Sequence, residues 1–271
     1  DRAGAGAGAP DVGAGQRAML PEPLTCLSPE AKALSRQAVL RQAIAENLMK
    51  LYNVQYDPTT EIIAAGQFDG MIKQRARATK ALGKPVLIRW FWEMDATENA
   101  DRAHGPDEFV AAWRRIHDAF TAAGATNAVW VWCPTAWGFT DGSAPAYYPG
   151  DAYVDWVCAD GFNWYPGRDG SKWQSFEWIY RPFYDWAMAK GTKPLMAATY
   201  GVQEDPAKPG RKALWFQRAQ QTLKTSMIGM AAVLYYDTAR EHDWRVDTSA
   251  TAYEAYVEMA RDPWFNVGDA P

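Results

Sequence analysis

One carboxylate set between indole rings and beside a guanidinium closes an apolar run: Ile88-Arg89-Trp90-Phe91-Trp92-Glu93-Met94-Asp95 follows directly on Val86 and Leu87. The chemistry this suits is proton transfer. Ring-lined surroundings disfavour a charged carboxylate and raise its pKa, so a glutamic acid there keeps a proton to donate to a leaving oxygen near neutral pH. In a parallel α/β protein a strand is buried until its C-terminal end, where side chains emerge into a site built from loops. Glu93 is placed for such work.

Residues of the same kind recur where later apolar runs end. Trp130, Trp132, Thr135 and Trp137 mark one, Asp160, Asn163, Trp164 and Tyr165 the next, and Tyr235, Tyr236 and Asp237 the last. Polar and aromatic residues gathered at one end of successive parallel strands describe a lined cleft at the C-terminal face of a barrel. The chain carries 14 Trp, 13 Tyr and 10 Phe, more tryptophan than core packing demands. Sugar rings offer flat C–H faces that pack on aromatic rings, so a Trp-rich cleft fits a carbohydrate ligand, with about half of the rings expected in the core.

The elements that must position these residues alternate. Short apolar strands are expected at Leu48 to Val54, Val86 to Trp92, Ala128 to Cys133, Trp156 to Asn163, Pro194 to Tyr200 and Ala231 to Tyr236. Amphipathic helices are expected between them, near 61–82, 106–123, 173–190 and 210–225, and a last one near 250–261. That is the rhythm of a parallel βα repeat. Ahead of it, residues 1–27 read as an irregular segment, and Ser28-Pro29-Glu30 starts a helix running to about Asn47. Residues 28–271 are read as one domain, since 271 residues at 48% hydrophobic suit a single α/β barrel.

Composition excludes several classes. A net charge of -4 without a basic run argues against nucleic acid. No stretch approaches the roughly 20 apolar residues that span a bilayer, so no membrane partner is expected. Three cysteines (Cys26, Cys133, Cys158) without CxxC spacing and three scattered histidines argue against a metal site, and no organic cofactor is implied. Cys133 and Cys158 fall on neighbouring strands, where a disulfide is possible and a buried free thiol is the commoner case. Asp1 to Gln16 has no apolar h-region, so no signal peptide is visible, and an extracellular location is an expectation from function alone.

With these motifs in order, the chain resembles glycoside hydrolase family 26, a clan of (β/α)8 TIM-type barrels that includes β-mannanases and some β-glucanases and xylanases. Pro85 to Asp95 matches the fourth-strand acid/base motif, with its Arg-x-x-x-Glu-Met pattern, and Asn127 to Pro134 the fifth strand. Tyr153 to Trp164 matches the sixth, Lys193 to Gly201 the seventh and Ala232 to Asp237 the eighth, the likeness covering roughly residues 35–265. The resemblance implies that Glu93 is the general acid/base, that Arg89 is its electrostatic neighbour, and that Trp92 stands where the family often carries His. It implies an oligo- or polysaccharide partner, for which Arg89, Trp92, Trp132, Trp137, Asp160, Asn163, Trp164, Tyr165 and Tyr235 are the candidate binding residues. The sequence does not determine an oligomeric state.

Two departures stand out. A retaining glycosidase needs a second carboxylate as nucleophile, which in this family is a Glu near the end of the seventh strand. Lys193-Pro194-Leu195-Met196-Ala197-Ala198-Thr199-Tyr200-Gly201 puts Thr199 there, and a threonine without an adjacent base cannot replace it. Glu204 and Asp205, in the following loop, are the alternative carboxylates. Secondly, nothing before residue 48 has strand periodicity, so the barrel's first two strands are unaccounted for and the barrel is read as incomplete at the N-terminus. Three functions compete: a retaining endo-β-glycanase acting on a mannan-type polysaccharide, a catalytically inactive binder or nucleophile-altered variant of one, and a structural subunit whose cleft is closed.

Overall fold

The computed structural model describes residues 59–265 except residue 192. Strand Leu48 to Val54, the helix expected to run to Asn47 and the irregular start lie outside the described residues, and so does the expectation that no strand precedes residue 48. After α1 (Thr60–Ala64) and α2 (Asp69–Ala81), the chain runs β1 (Val86–Ile88), α3 (Ala100–Ala103), α4 (Pro106–Ala122), β2 (Ala128–Trp132), α5 (Trp137–Thr140) and β3 (Trp156–Asn163). Then follow α6 (Phe176–Lys190), β4 (Leu195–Val202), α7 (Arg211–Thr225), β5 (Met230–Tyr235) and α8 (Ala250–Arg261). The five strands form one sheet in sequential order, every neighbouring pair parallel. This is a parallel α/β half-barrel.

Local chemistry explains the helices that follow the strands. α4 begins at Gly105, whose φ of 86° only glycine adopts freely, with Pro106 in its first turn; Phe109, Ala112, Trp113, Ile116 and Phe120 make one buried stripe at helical spacing. The Ser175 hydroxyl caps α6 by accepting from Trp178 N (3.1 Å), and Ser249 caps α8 from Ala252 N (3.2 Å). β4 is buried along its whole length, as a parallel strand covered on both faces must be.

Strand parity divides the core in two. Val129, Val131, Cys133, Trp156, Cys158, Met196 and Ala198 form a small cluster on one face of the sheet. Trp130, Trp132, Val157, Ala159, Leu195 and Ala197, one residue out of step, join the larger cluster under the helices. Trp132 pairs with Val157 in register, which brings the next residues, Cys133 and Cys158, side by side on the inner face, Cα atoms 4.6 Å apart. They form a disulfide, which replaces the expected free thiols.

Candidate active site

The strand expected through Trp92 stops at Ile88, and that break makes the site. Ile88 is paired with Trp130, and the next contact to this side of β2 is Glu93 N donating to Cys133 O at 3.0 Å. The segment from β1 thus advances from 88 to 93 while that from β2 advances only from 130 to 133. Left-handed backbone at Phe91 (φ 61°) and Glu93 (φ 50°) absorbs the surplus, a conformation costing a non-glycine residue on the order of 1–2 kcal/mol. Trp90 is thereby sent into the helix layer against Phe109 and Trp113, while Glu93 faces a cleft of about 1590 Å³ above the strand ends. Asn99 Nδ2 holds the turn by donating to Glu93 O (2.9 Å) and Trp92 O (3.3 Å). Asp95 anchors its far end, accepting from Thr135 N (2.8 Å) and Thr135 Oγ1 (2.6 Å).

Beside Glu93 the Arg89 guanidinium bridges two strands. Nη2 donates to Asp160 Oδ2, and Nη1 donates to Thr199 Oγ1 at 3.3 Å. Asp160 and Thr199 are register partners across β3 and β4, next to an irregularity in the pairing at Ala159/Asp160. Tyr180 OH holds the strand ends from beneath, donating to Thr199 O at 3.0 Å. Burial, and next the charge of Asp160, push the Glu93 carboxyl up to about 8, against the opposing pull of Arg89. A neutral glutamic acid in a cleft, able to give up a proton close to neutrality, is the equipment of a general acid.

Aromatic rings wall the cleft in two places. On one side Phe162, Trp164 and Trp244 cluster, with ring centroids 4.9–5.3 Å apart, and Arg168 lies 3.3 Å above the Trp164 ring. On the other, Trp137 and Trp178 stack at 6.5 Å with 29° between their planes. Both are unusually open, 58% and 49% exposed.

The family model for Glycosyl hydrolase family 26 matches residues 48–193. Endoglucanase H of Acetivibrio thermocellus is 33% identical over 211 residues, 75% of this chain. The chain belongs to glycosyl hydrolase family 26. A β-1,3-xylanase of a Vibrio species is 24% identical over 72% of the chain. The chain spans only 23% of Endoglucanase H and 44% of that xylanase. Among solved structures, a GH26 β-mannanase from Bacteroides ovatus superposes with a TM-score of 0.59 at 16% identity, over 86% of this chain and 76% of that one. A Cellulomonas fimi endo-β-1,4-mannanase double mutant superposes with a TM-score of 0.58 at 19% identity, over 79% and 51%. At these identities the likeness shows the fold.

Within this family frame the expected site residues separate. Glu93, Arg89, Trp92, Trp137, Asp160, Trp164, Thr199 and Tyr235 line one cleft. Trp132 does not: it is fully buried against Phe139, Tyr148 and Trp186, because its parity on β2 turns it toward the helices. Asn163 is also buried, its Oδ1 accepting from Tyr165 N (3.4 Å) and Gln174 N (3.3 Å), so it ties down the loop after β3. Tyr165 sits outside the lining, its ring 6.0 Å from Trp173. Tyr235 touches the cleft, but its hydroxyl is committed to Trp244 O (2.6 Å) and Val202 O (3.1 Å).

The alternative carboxylates are engaged elsewhere. Glu204 accepts from Thr248 (2.9 Å) and Ser249 (2.8 Å), and Asp205 pairs with Arg211 (2.7 Å); neither lines the cleft. Trp178, His242 and Trp244 are among the lining residues that sequence reasoning does not single out. Trp178 sits on a helix, where nothing separates it from a core ring, and Trp244 follows β5 without an apolar run to mark it.

Proposed function

We propose that this chain is the scaffold of a retaining endo-β-glycanase for mannan-type or related β-linked polysaccharides, and that in the sequence as it stands it binds such glycans while hydrolysing them very slowly. The observation carrying this reading is the neutral Glu93 facing a bridge of Arg89, Asp160 and Thr199, an acid whose opposite number lacks a carboxylate. Glu93 would protonate the glycosidic oxygen. A retaining mechanism then needs a carboxylate to attack the anomeric carbon, and Thr199 occupies that position without one. The names of the relatives, an endoglucanase, a β-1,3-xylanase and β-mannanases, support the class of reaction and leave open which glycan is taken.

Thr199→Glu should restore the reaction. The new carboxylate would lie where Arg89 Nη1 now reaches Thr199 Oγ1 at 3.3 Å, and a neighbouring guanidinium keeps a carboxylate ionised as a nucleophile must be. Reducing-sugar release from mannan, mixed-linkage β-glucan and β-1,3-xylan should rise at least about a thousandfold over the parent, the scale on which loss of a covalent catalytic group is felt. High activity in the parent would mean that another lining carboxylate, Asp160 first, attacks instead. Binding without hydrolysis in either form would favour the inactive carbohydrate-binding relative.

Two coarser expectations join this reading. A complete (β/α)8 barrel fits the family likeness, the described strands being five of its eight. A polymeric substrate argues for work outside the cell, and the disulfide Cys133–Cys158 supports an oxidising compartment.

A further inference from the structure

Next to the cleft lies a second hollow, of about 480 Å³, between α6 and α7. The two share a wall: Lys172, Gln174 and Trp178 line both. That wall is firmly built. Trp215 Nε1 donates to Gln174 O (2.8 Å), Gln174 N donates to Asn163 Oδ1 (3.3 Å), and the Arg211 guanidinium lies 4.3 Å above the Trp173 ring while pairing with Asp205. On top stands Trp178, stacked with Trp137 and open to solvent. Two indoles stacked within 29° of parallel leave apolar surface open to solvent, and large exposed apolar surface beside a cleft marks a binding site.

We propose that a β-linked glycan leaving the cleft crosses the Trp137–Trp178 platform and continues into this hollow, which serves as an outer subsite for long chains. The inference rests on the glycan reading of the cleft and adds the path of the chain beyond it. Continuity is the reason for choosing this occupant: Trp178 offers a ring to both compartments, and sugar C–H faces stack on indoles. Beyond it, Arg218 and Thr222 offer side-chain hydrogen-bonding groups to sugar hydroxyls.

The test is calorimetric titration of the parent and of Trp178→Ala and Leu214→Asp with mannohexaose and cellohexaose and with the matching trisaccharides. Trp178 and Leu214 are 49% and 42% exposed, and unchanged circular dichroism would show that the variants fold. The parent should bind one hexasaccharide more tightly than its trisaccharide, and each variant should lower that ratio by about tenfold, the value of one stacking contact. Trp178→Phe, which keeps a ring, should recover most of it. A ratio unchanged in both alanine and aspartate variants would overturn the subsite while leaving the cleft reading intact. A parent that binds none of the four sugars would overturn both. Concentration-dependent dimerisation in ultracentrifugation, abolished by Trp178→Ala with no change in the ratio, would assign the platform to a second copy of the chain instead.

Discussion

At the scale of a single residue, the protonation of Glu93 is legible in stability. Its folded pKa, about 8, lies above the ordinary value of 4.5, so the folded chain holds a proton that the unfolded chain has lost. The sign follows from linkage: the contribution is fully present below about 4.5 and is lost as pH rises through about 8. Urea midpoints of the parent should therefore fall between those two pH values, and Glu93→Gln should flatten that fall. An identical pH profile in the variant would mean that the carboxyl is not held neutral by the fold. Arg89 tempers the effect without cancelling it, since its guanidinium is already shared between Asp160 and Thr199.

At the scale of an element, the site depends on how closely the loop after β1 packs on the start of α5. Gly138 allows that approach: a Cβ built there would fall on Asp95 Oδ2 and meet Ala144 Cβ at 2.9 Å. Asp95 is held by Thr135, and Thr135 Oγ1 in turn accepts from Gly138 N at 2.9 Å, so one methyl group would disturb the whole anchor. Gly138→Ala should destabilise the chain by about 1–3 kcal/mol, the usual cost of overpacking. Equilibrium unfolding measures it. A neutral effect would show that the Asp95–Thr135 anchor is slack, and that the position of Glu93 is set by Asn99 and by its bond to Cys133 O.

At the scale of the whole molecule, the inner face of the half-barrel is fastened by a cross-link between two adjacent strands. Cys133 and Cys158 are 25 residues apart in sequence, and both neighbour the site, since Glu93 N donates to Cys133 O and Asp160 follows Cys158 by two residues on β3. Closing a loop of that length stabilises the folded chain by about 3 kcal/mol through the unfolded state. Reductant, or Cys133→Ala with Cys158→Ala, should lower unfolding free energy by that amount. Equal stability with and without reductant would show that the bridge contributes nothing.

Sequence alone determined the βα rhythm and the family, because each depends on local pattern. β3 runs over Trp156–Asn163 as its apolar run indicates, and α8 over Ala250–Arg261. Matching Thr199 to the expected nucleophile position likewise needs only a motif. Tertiary structure decided the rest. The alternation of a strand put Trp132 under the helices although it stands beside site residues in the chain, and the left-handed turn at Phe91 and Glu93 shortened β1, separating Trp90 from the carboxylate it precedes. Trp178 reached the cleft only because α6 packs over the ends of β3 and β4. A linear pattern records which residues are apolar or acidic; which side of the sheet each one faces depends on register and on backbone turns that the strands impose on one another.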